Sequence, residues 1–281
     1  MADTQSRSWR LSGFGDEVDA DPRVQVAVLQ ALGASHIDVR SAWDTNVVQM
    51  SDEQLSELAA LFSGKKMGVS AIASPIGKVD IGLPIEHEVE RLRRAIAAAQ
   101  TLSATYIRIF SFYYPGRDAD EVRDDVITRM RALARTAEEA GVILLHENEK
   151  EIFGDIPSRV LDIIETVNSP ALRACWDAAN FVQVGIKPFD EAYSILRPHL
   201  EYLHVKDALL ADASVVPAGE GDGQMQQTID ALRDSGYTGF VSLEPHLTGA
   251  FGLGGFSGPS AFGLAARAFA RVVKNAGVEL V

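Results

Sequence analysis

GVILLHENEKEIFG, residues 141–154, decides how the rest of the chain is read. Val142 to Leu145 form an unbroken apolar run that stops at His146, Glu147, Asn148, Glu149 and Lys150, as a buried strand does where it leaves a core. The same pattern returns three times: Leu172 to Trp176 ends in Asp177, Tyr202 and Leu203 end in His204, and Phe240 to Leu243 end in Glu244. These four polar residues follow one another at intervals of 30, 27 and 40 residues, about what a strand, a loop and a returning helix occupy.

Outward from that stretch, strands and helices alternate. WRLSGFGDEV (9–18) reads as a first strand running into Asp16 and Glu17, and Asp21 with Pro22 opens a helix that Gly33 stops. HIDVR (36–40), GVSAIAS (68–74) and YIRIF (106–110) are strands two to four. The helices between them run from Ser51 to Phe62, closed by Gly64, and from Glu86 to Leu102. A further helix, 120–140, is stopped by Gly141, and others are expected over 156–167, 188–196, 226–234 and 259–275. Eight strands and eight helices with no linker predict an α/β chain folded as one (β/α)8 TIM barrel over residues 1–281.

A barrel strand alternates between interior and helix layer, so Leu145, Glu147 and Glu149 share one side and His146 and Asn148 the other. His146 is therefore read as a helix-side histidine with its hydrogen bonds satisfied. Glu147, Asp177, His204 and Glu244 would stand on neighbouring strands five to eight, and three carboxylates with one imidazole make a hard, oxygen-rich divalent-metal site. Mn²⁺ or Mg²⁺ suits that donor set better than Zn²⁺, with Co²⁺ as a substitute. Lys206, two beyond His204, faces the same cavity, while Asp207 is read as a cap or a partner for Lys206. Asp38 and Arg40 share a face and read as a buried ion pair. Arg108 is either paired in the same way or a substrate contact.

Two glycine-rich loops, PAGEGDGQ (217–224) and TGAFGLGGFSG (248–258), fall at the predicted mouth. Such backbone can cradle phosphate, but Glu220 and Asp222 oppose an anion, so the first is read as a mobile mouth loop. The net charge of −13 and pI near 4.9 argue against nucleic acid. No apolar run reaches the ~20 residues of a membrane span. The lone Cys175 forms no internal disulfide, and MADTQSRSWR lacks the apolar core of a signal peptide, so the expectation is a cytoplasmic protein. No nucleophile elbow, P-loop or dinucleotide fingerprint occurs.

HEN (146–148), WDAAN (176–180), LHVKD (203–207), PAGEGDG (217–223) and SLEPH (242–246) resemble the sugar phosphate isomerase/epimerase family of xylose-isomerase-like TIM barrels. The resemblance implies that Glu147, Asp177, His204 and Glu244 ligate one divalent ion. It implies that Glu147 and Glu244 act as acid and base on a small carbohydrate, by proton transfer through a metal-bound enediolate. Lys206, Arg108, Asn180, Glu149 and His246 are the expected substrate contacts. Where ketose epimerases of the family carry a histidine, an arginine and a further glutamate, this chain has Asn180, Leu210 and Phe153. A keto-polyol dehydratase, as in inosose dehydratases, is the alternative. A sugar-binding barrel without catalysis ranks third, and abasic-site DNA repair on the same barrel ranks low for want of histidines and a basic face. A homo-oligomer is compatible with the sequence.

Overall fold

A computed structural model of the chain describes residues 8–251 and 254–281, so the N-terminal heptapeptide and two residues of the second glycine-rich loop, Gly252 and Leu253, lie outside the described residues. Eight parallel strands carry the fold: β1 Ser8–Gly13, β2 His36–Val39, β3 Gly68–Ala73, β4 Tyr106–Ile109, β5 Ile143–Glu147, β6 Leu172–Asp177, β7 Leu200–Val205 and β8 Phe240–Leu243. They pair in the order β1, β8, β7, β6, β5, β4, β3, β2, and a parallel bridge between Phe14 and Asp38 closes β1 onto β2. A short strand, Glu279–Leu280, lies beside the start of β1. This is the expected (β/α)8 TIM barrel.

Helices α1 Pro22–Ala31, α2 Asp52–Lys65, α3 Ile85–Thr101, α4 Ala119–Ala140 and α5 Pro157–Val167 return along the outside. Their starts follow local chemistry. Asp21 accepts from the amide of Arg23, and Ser51 with Gln54 forms a reciprocal capping box. In α4, Val122, Val126, Met130, Leu133 and Ala137 recur at three and four and are buried, each large side chain contributing about 2 kcal/mol. Gly141 closes α4 in the left-handed conformation, as expected. Gly64 does not close α2; the helix runs on to Lys65, and Lys66 at φ 56° ends it.

Two segments depart from expectation. Residues 188–196 are a π-helical turn, Pro188–Tyr193, followed by a short α-turn, Ser194–Leu196. There the amides of Phe189 and Asp190 donate to the Gln224 side chain, which draws the first turn away from regular helix. Directly after β6 comes a helix that periodicity did not announce, α6 Ala178–Gln183; five of its six residues are buried, so it has no polar face to set a period. Met225–Asp234 (α7) and Gly258–Asn275 (α8) complete the ring. No helix among the described residues is long and apolar enough to cross a membrane.

The barrel interior holds Ala71, Leu145, Cys175, Tyr202 and Phe240. Above them Asp38 accepts hydrogen bonds from Ser70, Tyr202 and Ser242. The expected Asp38–Arg40 pair is thus not formed: three hydroxyls satisfy the carboxylate, and Arg40 turns to Asp16 at 2.7 Å. Burial raises the Cys175 thiol to about 11, so it stays protonated at neutral pH.

His146 lies on the helix side of β5, as its parity requires, but it is not satisfied: the ring is fully buried and neither nitrogen has a hydrogen-bond partner. Burial lowers its pKa from 6.5 to about 4, despite the adjacent Glu147. The unfolded chain therefore takes up a proton between those values that the folded chain refuses. Stability is full above about pH 6.5 and falls as pH drops toward 4, by roughly 3 kcal/mol for this residue. Urea unfolding between pH 7 and 4.5 should show a flatter decline in His146→Gln than in the parent chain; equal slopes would remove His146 as the cause.

Candidate active site

The four residues singled out by sequence stand together at the C-terminal ends of adjacent strands. Glu147 and Asp177 are the last residues of β5 and β6, His204 is the penultimate residue of β7, and Glu244 follows β8. Strand register sets Asp177 beside His204 and His204 beside Ser242. One ligand-competent atom from each of the four lies within 4.8 Å of the others, and all four side chains are buried. His204 Nδ1 is 3.3 Å from Glu147 Oε1 and 3.2 Å from Glu244 Oε2.

Each carboxylate is held by its own partners. Asp177 uses Oδ1 to accept the amide of Asn180, capping α6, and points Oδ2 toward Lys206 Nζ at 2.7 Å. Glu147 Oε1 accepts from Asn180 Nδ2, and its Oε2 from Arg108. Glu244 Oε1 is 3.4 Å from Arg40 and 3.6 Å from Arg108. Arg108 is therefore paired with site carboxylates, and the ring of Phe14 lies under both guanidiniums and edge-on to His204. Burial pushes Asp177 up to about 6, against the pull of Lys206 and with the push of Glu147 and Glu244. Burial would also raise Glu147, but His204 and Arg108 outweigh it and bring it down to about 2. For Lys206, burial favours the neutral form and the surrounding carboxylates overcome that, keeping it charged.

The donor set fits a divalent cation. Asp177 Oδ2, His204 Nδ1 and Glu244 Oε2 are buried with no well-aligned hydrogen bond; charged neighbours alone hold them, Lys206 at 2.7 Å from Asp177 Oδ2 and Glu244 Oε2 at 3.2 Å from His204 Nδ1, and all three belong to this cluster. Three carboxylates and an imidazole are hard and borderline donors of the kind that hold Mg²⁺, Mn²⁺ or Zn²⁺.

Above the cluster opens a cavity of about 530 Å³ lined by Lys206, Asn180, Glu149, His246, Lys78 and Tyr113, among others. Four of the five expected contacts face it, whereas Arg108 sits beneath, on Glu147. His246, at φ 49°, brings Nε2 within 3.4 Å of Glu244 and 3.2 Å of Glu17. The sequence did not disclose Phe14, Glu17, Lys78 or Tyr113. Phe14 and Glu17 fall just past the end of β1, and Lys78, paired with Glu149 at 2.9 Å, lies in a loop with no strand parity. Leu210 is 40% exposed away from this cavity, and Phe153 is buried.

The first glycine-rich loop binds an anion, but the protein's own. Asp207 Oδ2 accepts from the amides of Gly219 and Gly221, and Oδ1 from those of Gly223 and Ala208. Asp207 is thus a cap and not the partner of Lys206. A Cβ at Gly221 or Gly223 would lie 2.5 Å from Asp207 Oδ1, which explains the glycines. Asp207→Asn would set an NH₂ group against two amide donors. It should cost roughly 2–3 kcal/mol in urea unfolding; an unchanged midpoint would show that the loop does not depend on this carboxylate.

Residues 26–262 match the family model described as xylose isomerase-like TIM barrel. An uncharacterized protein of Methanocaldococcus jannaschii is 23% identical over 56% of this chain and 56% of its own length. A 2-epi-5-epi-valiolone 7-phosphate 2-epimerase of an Actinoplanes species is 30% identical over 38% of this chain and 37% of its own length. The chain thus spans about half or less of these curated relatives. Among solved structures, a D-tagatose 3-epimerase-like protein superposes with a TM-score of 0.78 at 15% identity, covering 95% of this chain and 98% of its own. A xylose isomerase-like TIM barrel protein of Mycobacterium smegmatis in complex with magnesium gives 0.72 at 18%, covering 96% and 97%. The IOLI protein with a binding zinc atom gives 0.73 at 15%, covering 95% and 97%.

Proposed function

The chain belongs to the xylose isomerase-like TIM barrel family, and we propose that it acts as one domain and a divalent-metal-dependent isomerase or epimerase of a small hydroxy-carbonyl sugar. One observation carries this reading: Glu147, Asp177, His204 and Glu244, all buried, each offer a ligand-competent atom within 4.8 Å of the others. Glu147, Asp177, His204 and Glu244 would hold the ion, and the carboxylate-rich set favours Mn²⁺ or Mg²⁺. When bound, such an ion is a Lewis acid that acidifies a C–H flanked by carbonyl and hydroxyl oxygens.

The protein's own groups do the proton work. Glu147, kept ionised by its hydrogen bond from Arg108, removes a proton from one side of the substrate carbon. Glu244, beside Lys206 and His246, handles the proton on the other. Asn180 fixes the Glu147 carboxylate through Nδ2 and so orients the base. Lys206 and His246 present nitrogens to the cavity, where substrate hydroxyls would lie.

Glu147→Gln and Glu244→Gln should each lower turnover ~10²- to 10⁴-fold on a sugar that exchanges solvent deuterium. Full turnover in both would refute the assignment. Chelation should abolish exchange and Mn²⁺ should restore it. Failure to take up stoichiometric metal under any refilling condition would favour a non-catalytic sugar-binding barrel.

Dehydration of a keto-polyol is favoured by a specific observation. Asn180 Nδ2 is committed to Glu147 and to the Asn148 carbonyl, and Leu210 lies away from the cavity. The places where ketose epimerases of the family carry histidine and arginine therefore offer the substrate no free donor. In D₂O, deuterium incorporation with sugar recovered marks isomerisation, whereas loss of water marks dehydration.

A further inference from the structure

Beyond the ligand-bearing strand ends, the loops after β3, β4 and β5 are stitched into a small extension of the sheet. Phe112 N donates to Gly77 O, Tyr113 N to Val79 O, Ile81 N to Tyr113 O and Phe153 N to Phe112 O. Tyr113 is bridged on one side to Asp80 and on the other to Ile152. Two residues of this rim, Phe112 at φ 72° and Glu151 at φ 67°, occupy the left-handed region that bulky side chains avoid. The extension fixes Tyr113 on the wall between two cavities. The inner cavity, about 530 Å³, is the one above the carboxylates; the outer, about 660 Å³, is lined by Asp80, Tyr113, Tyr114, Pro115, Arg117 and Glu151. Tyr113 and Glu151 line both, so the two spaces adjoin.

A single sugar ring turned over at the strand ends would fill only the inner cavity. The outer one has the make-up of a carbohydrate or aryl platform: two tyrosine rings and a proline offer apolar faces, while Asp80, Glu151 and Arg117, which pairs with Asp80 at 3.1 Å, offer hydrogen bonds at the edge. We propose that this outer cavity is a second subsite for a further sugar ring, carried on a hydroxyl of the reacting sugar so that its carbonyl stays free, and that the preferred substrate is a reducing disaccharide, not a free monosaccharide. The inference rests on the reading of the inner cavity as the sugar site. Contacts to the remote group supply binding energy that positions the reacting ring.

Binding tests it without turnover. Calorimetry and saturation-transfer NMR on the full Mn²⁺-loaded chain would compare free glucose with maltose, cellobiose and isomaltose, reducing disaccharides in which one glucose keeps its free carbonyl. At least one disaccharide should bind tenfold or more tightly than glucose, with saturation transferred to the protons of its non-reducing ring. Tyr114→Ala should bring that ratio near one and Tyr114→Phe should keep it, circular dichroism confirming that both variants fold. Equal binding in every pair, or an advantage that survives Tyr114→Ala, overturns the subsite. Failure of every sugar to exchange deuterium would defeat the isomerase reading and leave this ratio standing, whereas a ratio of one defeats the subsite alone.

Discussion

Three carboxylates buried at one barrel mouth demand compensating positive charge, and much of the upper half of the molecule is arranged to supply it. An isolated ionised carboxylate in a protein interior costs several kcal/mol unless it is paired and hydrogen-bonded. Arg108 serves Glu147, Lys206 serves Asp177 and Glu244, and Arg40 reaches Glu244 from β2. The cations are themselves buried and come from the ends of β2, β4 and β7, so the charges bind opposite arcs of the barrel together. Phe14 completes the arrangement with a flat ring beneath two guanidiniums, a contact that keeps them oriented while contributing no competing acceptor.

The barrel and its cluster of three carboxylates and a histidine could be read from the chain because both depend on short-range regularities. An apolar run ending in one polar residue marks a strand and its mouth-facing tip, and parity then sorted Glu147 from His146. Parity could not say what Asp38 and Arg40 do, since they share a face but find partners on other strands. Nor could it reach Tyr113 or Lys78, whose positions are set by backbone hydrogen bonds between loops distant in sequence. Helix α6 escaped because burial all round erases the period on which helix recognition depends. The π-helical turn at 188–193 escaped for a different reason: its geometry is imposed by Gln224, more than thirty residues away.

The glycine-rich loop after β7, read from sequence as a mobile mouth loop, is instead tied down by Asp207. Its amides converge as in a phosphate cradle, yet the anion they hold is Asp207, supplied from the strand end itself. The same amides that would recognise a ligand instead staple the loop to the barrel, and the acidic Glu220 and Asp222 are then no contradiction.

Asp177 gives its two oxygens to different masters, one to the first turn of α6 and the other to the site. That division removes a degree of freedom that its neighbours keep. A carboxylate one methylene longer would have to abandon either the helix or the cluster, whereas Glu147 and Glu244 are each tethered by side chains that can follow them. Asp177 is the position at which backbone architecture and site chemistry share a single lever arm, and the sequence D-A-A-N at 177–180 encodes the two constraints at once.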